Sequence, residues 1–495
     1  MRCFLGLDIS TTATKAVLVE EKGEVLGIAS ASHKLSTPRP LWSEQDPHEW
    51  WSATQEAVRG VLSRAGLSGA AVAAIGLAGQ MHGLVLLDEA GEVIRPAILW
   101  NDQRASLECD EIRSRMGGLE TLVAATGNDA FAGFSAPKLL WVRNNEPSNY
   151  ARVKQVLLPK DFVRYRMTGE YATDRADAGG TLFLDLETRD WSQRVLDALE
   201  VPREWLSKTH EGTEITGVLS SEAAKLLGLE AGTPVMGGGG DQAAQAVGVG
   251  AVTPGTFALT VGTSGVVFAP SDRPLFDTRG RAHAFPHAVP GAWHMMGVML
   301  SAAGSLQWYH DTLAPDVSFD ALVAEAEPIA PGADGLLFLP YLSGERTPHA
   351  DPRARGMFFG LALSHTRGHL TRSVLEGVAF GLRDNLDLLS VAGLPRPAAL
   401  RASGGALKST TWRGILADVL GVPLEIVETP EAAAVGAALL AGTGAGAWSS
   451  AAEAAAATVR ILGVRDPVPE RAERYSEIHA AFRALYPAVK PHFPA

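Results

Sequence analysis

The sequence contains little cysteine and no dense run of basic residues. Only Cys3 and Cys109 occur among 495 residues, so at most one disulfide could form, and no CxxC pair suggests zinc or redox exchange. Lys and Arg total 43 against 55 acidic residues, which gives a net charge of −12. This balance offers no electrostatic footprint for nucleic acid or for an anionic membrane surface. We therefore expect neither partner, and we expect a reducing compartment.

Apolar segments suited to a membrane or to export are also lacking. The chain reaches Asp8 before the apolar core of a signal peptide could be completed, which predicts a cytoplasmic protein. Residues 432–452 carry no charge, but Ala, Ser, Thr and four glycines dominate them, so membrane insertion would be marginal. This stretch predicts a packed helix followed by a loop.

Several catalytic motifs are missing. The sequence has no GxxxxGK[ST] P-loop, no HExxH and no protein-kinase HRD set. Ser135 and Lys138 formally satisfy SxxK, but Pro137 suits a helix start and neither SDN nor KTG accompanies them. An acyl-transfer site is therefore not assigned there.

The composition and the chain pattern predict large α/β domains. With 46% hydrophobic and 20% charged residues the chain can bury sizeable cores, and its length suits two to four domains. Strands are predicted at residues 4–8, 16–19 and 25–28. A helix at 47–64 and buried strands at 73–77 and 83–87 follow, and this alternation indicates an α/β layer structure.

The strand–turn–strand pattern of the first residues occurs again near residue 256. Residues 257–260 and 266–268 read as two strands around a Gly-Thr-Ser-Gly turn, as the first strands do around Ser10, Thr11 and Thr12. This repeat suggests a duplicated domain, with domains at 1–248 and 249–495. Helices are predicted at 410–420 and at 470–486.

Both turns are rich in small hydroxyl residues beside strand ends. The first joins Asp8 to Lys15 through Ser10, Thr11 and Thr12, and the second is Gly262, Thr263 and Ser264. Backbone N–H groups and hydroxyls in such a turn can surround a phosphate without bulky side chains in the way. The alternative for each turn is a hairpin whose hydroxyls cap their own backbone. Together the turns favour two loops that clamp one polyphosphate.

Four consecutive glycines precede Asp241. Such a run loses much backbone entropy on folding, so a backbone or a ligand should approach closely there. Asp241 could be the N-cap of the following helix, or a carboxylate that accepts a proton from a substrate hydroxyl. The two roles can coexist.

Polar residues follow two further apolar strands. Met81 and His82 lie between glycines, and Trp100 and Asn101 follow residues 97–99. An aromatic face beside donors and acceptors suits a polyhydroxylated ligand, although a lone His is often structural. The turn Gly404, Gly405, Ala406 and Ser409 precedes a helix and suits either a base or phosphate, or packing alone.

Taken in order, these motifs resemble the FGGY carbohydrate kinases over nearly the whole chain. The landmarks include GGGGD at 237–241 and GERTP at 344–348. The others lie at residues 8–15, 41–47, 79–83, 96–102, 134–141, 158–161, 262–265, 338–343, 356–361 and 404–412. Within the family they look most like the members that phosphorylate D-xylulose.

The resemblance implies two ribonuclease-H-like α/β domains of the actin/Hsp70/sugar-kinase type, flanking a central cleft that holds ATP and sugar. It implies Asp241 as general base and Asp8 near Mg²⁺, with Asp241 as the second candidate metal ligand. The expected sugar contacts are Met81, His82, Trp100, Asn101, Asp241 and Gln242. The expected nucleotide contacts are Ser10, Thr11, Thr12, Lys15, Gly262, Thr263, Ser264, Gly404, Gly405, Ala406 and Ser409. A homodimer is kept open.

Two departures from the family pattern bear on the acceptor. Gln242 stands where the D-xylulose enzymes usually carry Asn and resembles the glycerol kinases, whereas Met81 and His82 replace the Arg-Glu pair of those enzymes. Ala406 replaces the third glycine of the adenosine turn. We expect transfer from ATP to D-xylulose. Ribulose, ribitol and glycerol are the alternative acceptors, and a non-catalytic nucleotide switch of the actin/Hsp70 sort is the alternative of another class.

Overall fold

The strands gather into two large sheets. The computed structural model describes residues 2–428 and 430–494. Its strands are β1 Cys3–Ile9, β2 Ala13–Glu20, β3 Val25–Ser32, β4 Glu44–Gln45, β5 Val72–Gly79, β6 Val85–Leu87, β7 Ala97–Ile98, β8 Gln155–Leu157, β9 Ala172–Asp174, β10 Leu184–Asp185, β11 Asp190–Trp191, β12 Lys208–His210, β13 Ile215–Val218, β14 Pro234–Met236, β15 Gly239–Gly240, β16 Thr256–Val261, β17 Gly265–Ser271, β18 His283–Pro286, β19 Trp293–Met299, β20 Leu337–Leu339, β21 Met357–Phe359, β22 Ala399–Ser403, β23 Leu424–Glu428 and β24 Arg460–Arg465.

Helices cover both sheets. They are α1 Pro47–Ala65, α2 Ser106–Arg115, α3 Leu119–Thr126, α4 Ser135–Asn145, α5 Pro147–Tyr150, α6 Pro159–Thr168, α7 Arg175–Gly179, α8 Gln193–Leu199, α9 Ser221–Leu227, α10 Asp241–Gly248, α11 Ala303–Leu313, α12 Phe319–Ala326, α13 Arg367–Val391, α14 Thr410–Leu420, α15 Ala432–Gly444, α16 Ala451–Thr458 and α17 Pro469–Val489. The fold is therefore α/β, as the alternating pattern predicts.

The two sheets repeat one topology. In the first, β3, β2 and β1 form an antiparallel meander, and β5 and β14 continue it in parallel beside β1. In the second, β19, β17 and β16 form the meander, and β22 and β23 continue it in parallel. The duplication inferred from the two hydroxyl-rich turns is confirmed at the level of strand order.

Local predictions agree with the observed elements. The helix predicted at 47–64 is α1, where Asp46 accepts the His48 N–H as N-cap and Pro47 starts the helix. The helices predicted at 410–420 and 470–486 are α14 and α17. The uncharged stretch 432–452 forms α15 and a loop, with α16 already beginning at Ala451.

Helix α15 joins the halves of the molecule by close backbone packing. It lies against β1, β5 and α10, all from the first half of the chain. A Cβ added to Gly6, Gly76 or Gly248 would collide with a backbone carbonyl of α15, and one added to Gly436 would collide with the Ala244 carbonyl of α10. Small residues at these positions let the helices and the sheet approach closely, so α10 packs directly on the backbone of α15.

Two further features concern the cysteines and the length of the apolar helices. Cys3 and Cys109 are both buried, free thiols. Across residues 2–428 and 430–494, no helix combines the length and the apolar character that a membrane crossing requires.

The α10–α15 contact can be tested with Gly436→Ala. Overpacking at a backbone contact typically costs roughly 1–3 kcal/mol, so we expect a melting temperature several degrees lower by calorimetry. Gly414→Ala in α14 is the matched control, because its nearest neighbour is the end of the Arg465 side chain at 3.3 Å. That change should be neutral or stabilising. Equal melting temperatures for the two variants would contradict the close packing.

Candidate active site

Asp241 is the first residue of α10 and projects from the strand end at Gly239–Gly240. The N-cap of α10 is Gly240, with no side-chain capping bond, so the hypothesis that Asp241 is the N-cap is wrong by one residue. The carboxylate is half-buried. Burial raises the pKa of Asp241 to about 6, and hydrogen bonding from Gln242 offsets part of that rise. Above pH 6 the group is therefore a carboxylate, able to accept a proton.

Close packing explains the four glycines before Asp241. Gly238 has φ +72°, and a Cβ there would collide with the carbonyl of Leu77. A Cβ on Gly240 would lie 2.7 Å from Cγ of Met81. Gly239 and Gly240 pair with the end of β5. The expected close approach is confirmed, and it comes from the chain's own backbone and from Met81.

A buried arginine holds the start of the glycine run. The guanidinium of Arg164 donates to the carbonyl oxygens of Met236 and Gly237, both at 2.7 Å, and also to the Thr216 hydroxyl. Arg164 is fully buried. These bonds fix the backbone that leads to Asp241, and the sequence motifs did not indicate them.

Beside Arg164 lies a buried cluster of charges. The Lys160 ammonium lies 2.6 Å from carboxylate oxygens of Asp161 and Asp174, and 3.2 Å from Asp177. The three carboxylates raise the pKa of Lys160 against the opposing effect of burial, whereas burial raises the pKa of Asp177 well above its ordinary value. The ammonium therefore stays charged beneath the glycine run.

His82 adopts a backbone conformation that is rare for a non-glycine residue, with φ +68°. Its ring stacks on Phe134 with centroids 4.4 Å apart, and Nδ1 lies 2.6 Å from the Gly180 carbonyl. Burial lowers the pKa of His82 to about 3, so the ring is neutral and Nδ1–H donates to Gly180. Nε2 has no partner in the described part of the chain and can accept from a ligand hydroxyl.

Ser135 and Lys138 hold this strained residue. The Ser135 hydroxyl donates to the His82 carbonyl at 3.0 Å and the Lys138 amine donates to it at 2.9 Å. Lys138 is fully buried, and burial lowers the pKa of its amine well below the usual value. The SxxK pair set aside as a catalytic motif thus positions a predicted ligand contact.

The first hydroxyl-rich turn caps its own backbone and also leaves hydroxyl groups accessible. The Ser10 hydroxyl donates to the Ala13 carbonyl at 2.7 Å and so caps its own backbone. Thr12 is exposed, and Thr11 is half-exposed. Trp100 donates from Nε1 to the Thr11 hydroxyl at 3.0 Å, so the indole lies at this turn.

Two buried glutamines fix the turn from below. The Gln45 amide donates to the Thr11 carbonyl at 2.6 Å, and the Gln80 amide donates to Oε1 of Gln45 at 2.9 Å. Trp50 donates to the same Oε1 at 3.0 Å. Gln45 belongs to a landmark stretch, but nothing in its local pattern indicated a contact with Thr11.

Asp8 is a buried carboxylate at the end of β1, within electrostatic reach of Asp241. Burial, and then the negative charge of Asp241, raise the pKa of Asp8 to about 7. Its Oδ1 is buried and has no hydrogen-bond partner among the described residues. Lys15 lies opposite Asp8 in the β1–β2 hairpin and forms a 2.5 Å ion pair with Glu431. Lys15, a predicted nucleotide contact, therefore already has a carboxylate partner.

The second turn is open. The amides of Ala302 and Gly304, at the start of α11, donate to the Thr263 carbonyl at 2.9 and 3.1 Å. The side chains of Thr263 and Ser264 are exposed. Gln245, one helical turn after Asp241, donates to the Thr260 hydroxyl at 2.6 Å just before Gly262. Helix α10 thus connects Asp241 to this turn.

The predicted adenosine turn adjoins the second turn. Gly404 has φ +108°, and a Cβ there would lie 2.5 Å from the Val261 carbonyl. Gly405 is exposed, whereas the methyl of Ala406 packs into the core, which explains why alanine is tolerated there. Ser409 is the N-cap of α14 and accepts the Trp412 N–H at 3.1 Å. A cavity of about 680 Å³ borders Gly404.

The structure thus brings most of the predicted residues to one region. Asp241, Met81 and His82 are linked through Gly240, and Asp8 and Trp100 belong to the first turn. Asn101 is exposed, and its side chain forms no hydrogen bond with a described residue. Asp8 and Asp241 are two carboxylates close enough for the charge of Asp241 to raise the pKa of Asp8. The arrangement can hold an alcohol beside a carboxylate and phosphates beside two turns.

Comparison with known proteins agrees with this chemistry. The FGGY family of carbohydrate kinases matches with its N-terminal domain at residues 3–248 and its C-terminal domain at residues 257–445. The chain is 42% identical over 489 residues to the xylulose kinase of Escherichia coli (strain K12), which covers 99% of each chain.

Two solved structures show the same two-domain fold. The xyloylose kinase from Brucella ovis is 40% identical, with a TM-score of 0.93, over 99% of this chain and 100% of its own. The gluconate kinase from Lactobacillus acidophilus is 28% identical, with a TM-score of 0.94, over 99% and 98%. With its matched domains, shared fold and clustered Asp241, Met81 and His82, this chain belongs to the FGGY family of carbohydrate kinases.

Proposed function

We propose that the protein transfers the terminal phosphoryl group of ATP to D-xylulose, yielding D-xylulose 5-phosphate and ADP. The observation that carries the proposal is the half-buried carboxylate of Asp241, which follows Gly240 where that residue packs on Met81, the neighbour of the neutral His82. The 42% identity to a xylulose kinase over nearly the whole chain supports the choice of acceptor.

Asp241 acts as the general base. A primary hydroxyl is a poor nucleophile, and phosphoryl transfer has a loose transition state with its charge spread over oxygens, so positioning dominates. Asp241 orients the terminal hydroxyl and accepts its proton as the bond to phosphorus forms. His82 accepts a hydrogen bond from a second hydroxyl through Nε2. Met81, Trp100, Asn101 and Gln242 complete the proposed sugar contacts.

The nucleotide lies along the two turns. The exposed hydroxyls of Thr12, Thr263 and Ser264 suit the phosphates, and the turn at Gly404 suits the adenosine. Ser10, Thr11, Gly262 and Lys15 complete the first and second turns, and Gly405, Ala406 and Ser409 complete the adenosine turn.

The carboxylates of Asp8 and Asp241 suit Mg²⁺ as ligands. The buried Oδ1 of Asp8 lacks a partner among the described residues, and burial raises the pKa values of Asp8 and Asp241 although the charge of Lys15 opposes the rise. Hard oxygen ligands of this kind suit Mg²⁺, which keeps much of its hydration. When bound, the ion would neutralise charge on the phosphates. Asp8 and Asp241 are the residues that would hold it.

The domain assignment, location and assembly belong to the same proposal. We assign the sugar site and the base to residues 1–248 and most of the nucleotide site to residues 249–495. Two buried, free thiols suit a cytoplasmic location. A homodimer is the oligomeric state to be checked by light scattering.

Asp241→Asn tests the general base. The amide keeps the shape but cannot accept the proton, so we expect sugar-dependent ADP production to fall by roughly 10²–10⁴-fold while ATP still binds. Asp320→Asn, also in the first turn of a helix but exposed, is the matched control and should behave as wild type. Turnover near that of wild type in Asp241→Asn would remove Asp241 from the mechanism.

The raised pKa of Asp241 predicts a pH dependence. With Mg²⁺ in excess, which would keep Asp8 deprotonated despite its pKa of about 7, kcat/KM for the sugar should fall about tenfold per pH unit below about pH 6 and level off above it, because the base must be deprotonated. His82 stays neutral throughout this range, since its pKa is about 3. Initial rates measured between pH 5 and 8 check the profile. A rate that rises as the pH falls below 6 would contradict this assignment.

An acceptor panel tests the substrate. We expect D-xylulose to give the highest kcat/KM among D-xylulose, D-ribulose, ribitol, glycerol and gluconate in a coupled ADP assay. Gluconate is included because of the gluconate kinase fold match. If another acceptor gives the highest kcat/KM, the protein phosphorylates that substrate and has a different activity within the same family. A rate of ADP production that no sugar accelerates would favour the nucleotide switch.

A further inference from the structure

Arg346 is a cationic side chain that the proposed mechanism does not use. It lies in the loop between β20 and β21, in the second half of the chain, and is half-buried. The preceding Glu345 is buried, and its Oε1 accepts the N–H groups of Leu300 and Arg346 at 3.0 and 2.8 Å. Burial raises the pKa of Glu345 to about 8, so it is protonated at neutral pH. Arg346 therefore has no ionised carboxylate partner among the described residues.

The guanidinium of Arg346 reaches across to the first half of the chain. Its Cζ lies 5.5 Å from the ring centroid of Phe131, and Nη1 lies 3.5 Å from Nε2 of His283. Phe131 and His283 both pack on Phe134, with centroid distances of 5.6 Å. His82 stacks on Phe134 as well. Arg346 and His82 thus belong to one aromatic cluster at the proposed sugar site.

A path of contacts connects Arg346 to the neighbourhood of Asp241 through His82. Met81 packs on Gly240, next to Asp241, and the His82 ring that follows Met81 stacks on Phe134. Phe131 and His283, which Arg346 contacts, pack on the same Phe134. Arg346 is therefore at the end of this path opposite Asp241.

The geometry points to Arg346 as a sugar-binding residue that donates hydrogen bonds to the end of the ketopentose remote from the reacting hydroxyl. This inference rests on the proposed function, and it adds to the sugar site a residue from the half of the chain assigned to the nucleotide. Because Asp241 binds the C5 hydroxyl, the remote end is C1 and C2, which carry a hydroxyl and a carbonyl oxygen. A guanidinium presents several N–H donors in one plane and can bond both oxygens.

This placement also bears on selectivity. A three-carbon acceptor such as glycerol, with one end at Asp241, would be too short to reach Arg346. Glycerol would therefore leave donors of a half-buried guanidinium without partners, which is a cost that D-xylulose avoids. Ribitol is long enough, but it presents a hydroxyl at C2 in place of the planar carbonyl, so its C2 oxygen is an acceptor of different geometry.

Arg346→Met tests the contact. A hydrogen bond to a charged group is worth roughly 1.5–3 kcal/mol, so KM for D-xylulose should rise roughly 10- to 100-fold, while KM for ATP stays within twofold. Arg346→Lys keeps the charge but loses the planar set of N–H donors of the guanidinium, and it should show an intermediate rise in KM for D-xylulose. Arg353→Met, at an exposed arginine seven residues further along the loop, is the matched control with wild-type constants. A KM for D-xylulose that is unchanged in Arg346→Met, or that rises equally with KM for ATP, overturns the inference.

A substrate lacking O1 tests which end is bound. For wild type, 1-deoxy-D-xylulose should have a kcat/KM roughly tenfold or more below that of D-xylulose. For Arg346→Met the same deletion should cost less than threefold, because the donor is already gone. If removing O1 lowered kcat/KM by the same factor in Arg346→Met as in wild type, the two losses would be independent, and the contact with the C1 end would be overturned. If wild type fails to phosphorylate any ketopentose, the proposed function fails instead, and that result is separate from these comparisons.

Discussion

The site depends on the backbone contact between α10 and α15. Asp241 is the first residue of α10. Gly436 and Gly248 set the position of α10, because they let the backbones of α10 and α15 come into direct contact. Protein interiors are packed too densely to absorb a displaced helix without moving its neighbours. The same α15 packs on β1, whose end carries Asp8. One helix from the second half of the chain therefore positions both carboxylates of the first half.

Burial gives the polar groups of the site their chemical states. It raises the pKa of Asp8 and Asp241 and lowers that of His82 and Lys138, so that the site holds two weakly acidic carboxyls beside a neutral imidazole and a lysine amine of lowered basicity. The amine and the imidazole N–H are used for positioning, since they donate to backbone carbonyls. Asp241 and Nε2 of His82 remain as acceptors, which is what binding an alcohol and removing its proton require.

Local sequence patterns predicted the elements and the residues at strand ends. The hydroxyl-rich turns, the glycine run before Asp241 and Met81–His82 are each contiguous, so their residue types alone indicated ligands. The supporting contacts join residues far apart in the chain: Lys138 holds His82 from 56 residues away, and Arg164 holds Gly237 from 73. No local period encodes such pairs. The prediction of Asp241 as N-cap is wrong because α10 already begins at Asp241. Gly240, the last residue of β15, occupies the N-cap position and has no side chain with which to cap.

Fewer residues determine which sugar accepts the phosphoryl group than determine the fold. A gluconate kinase shares this architecture with a TM-score of 0.94, so the two sheets and α15 alone do not select a sugar. Binding a particular hydroxyl requires a buried or half-buried partner that loses energy when the hydroxyl is missing. His82 meets this condition, because its ring is held by Gly180 and its backbone by Ser135 and Lys138. His82 would then be a rigid hydrogen-bond acceptor at the middle of the sugar, between the base Asp241 at one end and the cation Arg346 at the other. Such an arrangement would select a ligand by its length and by the positions of its oxygens.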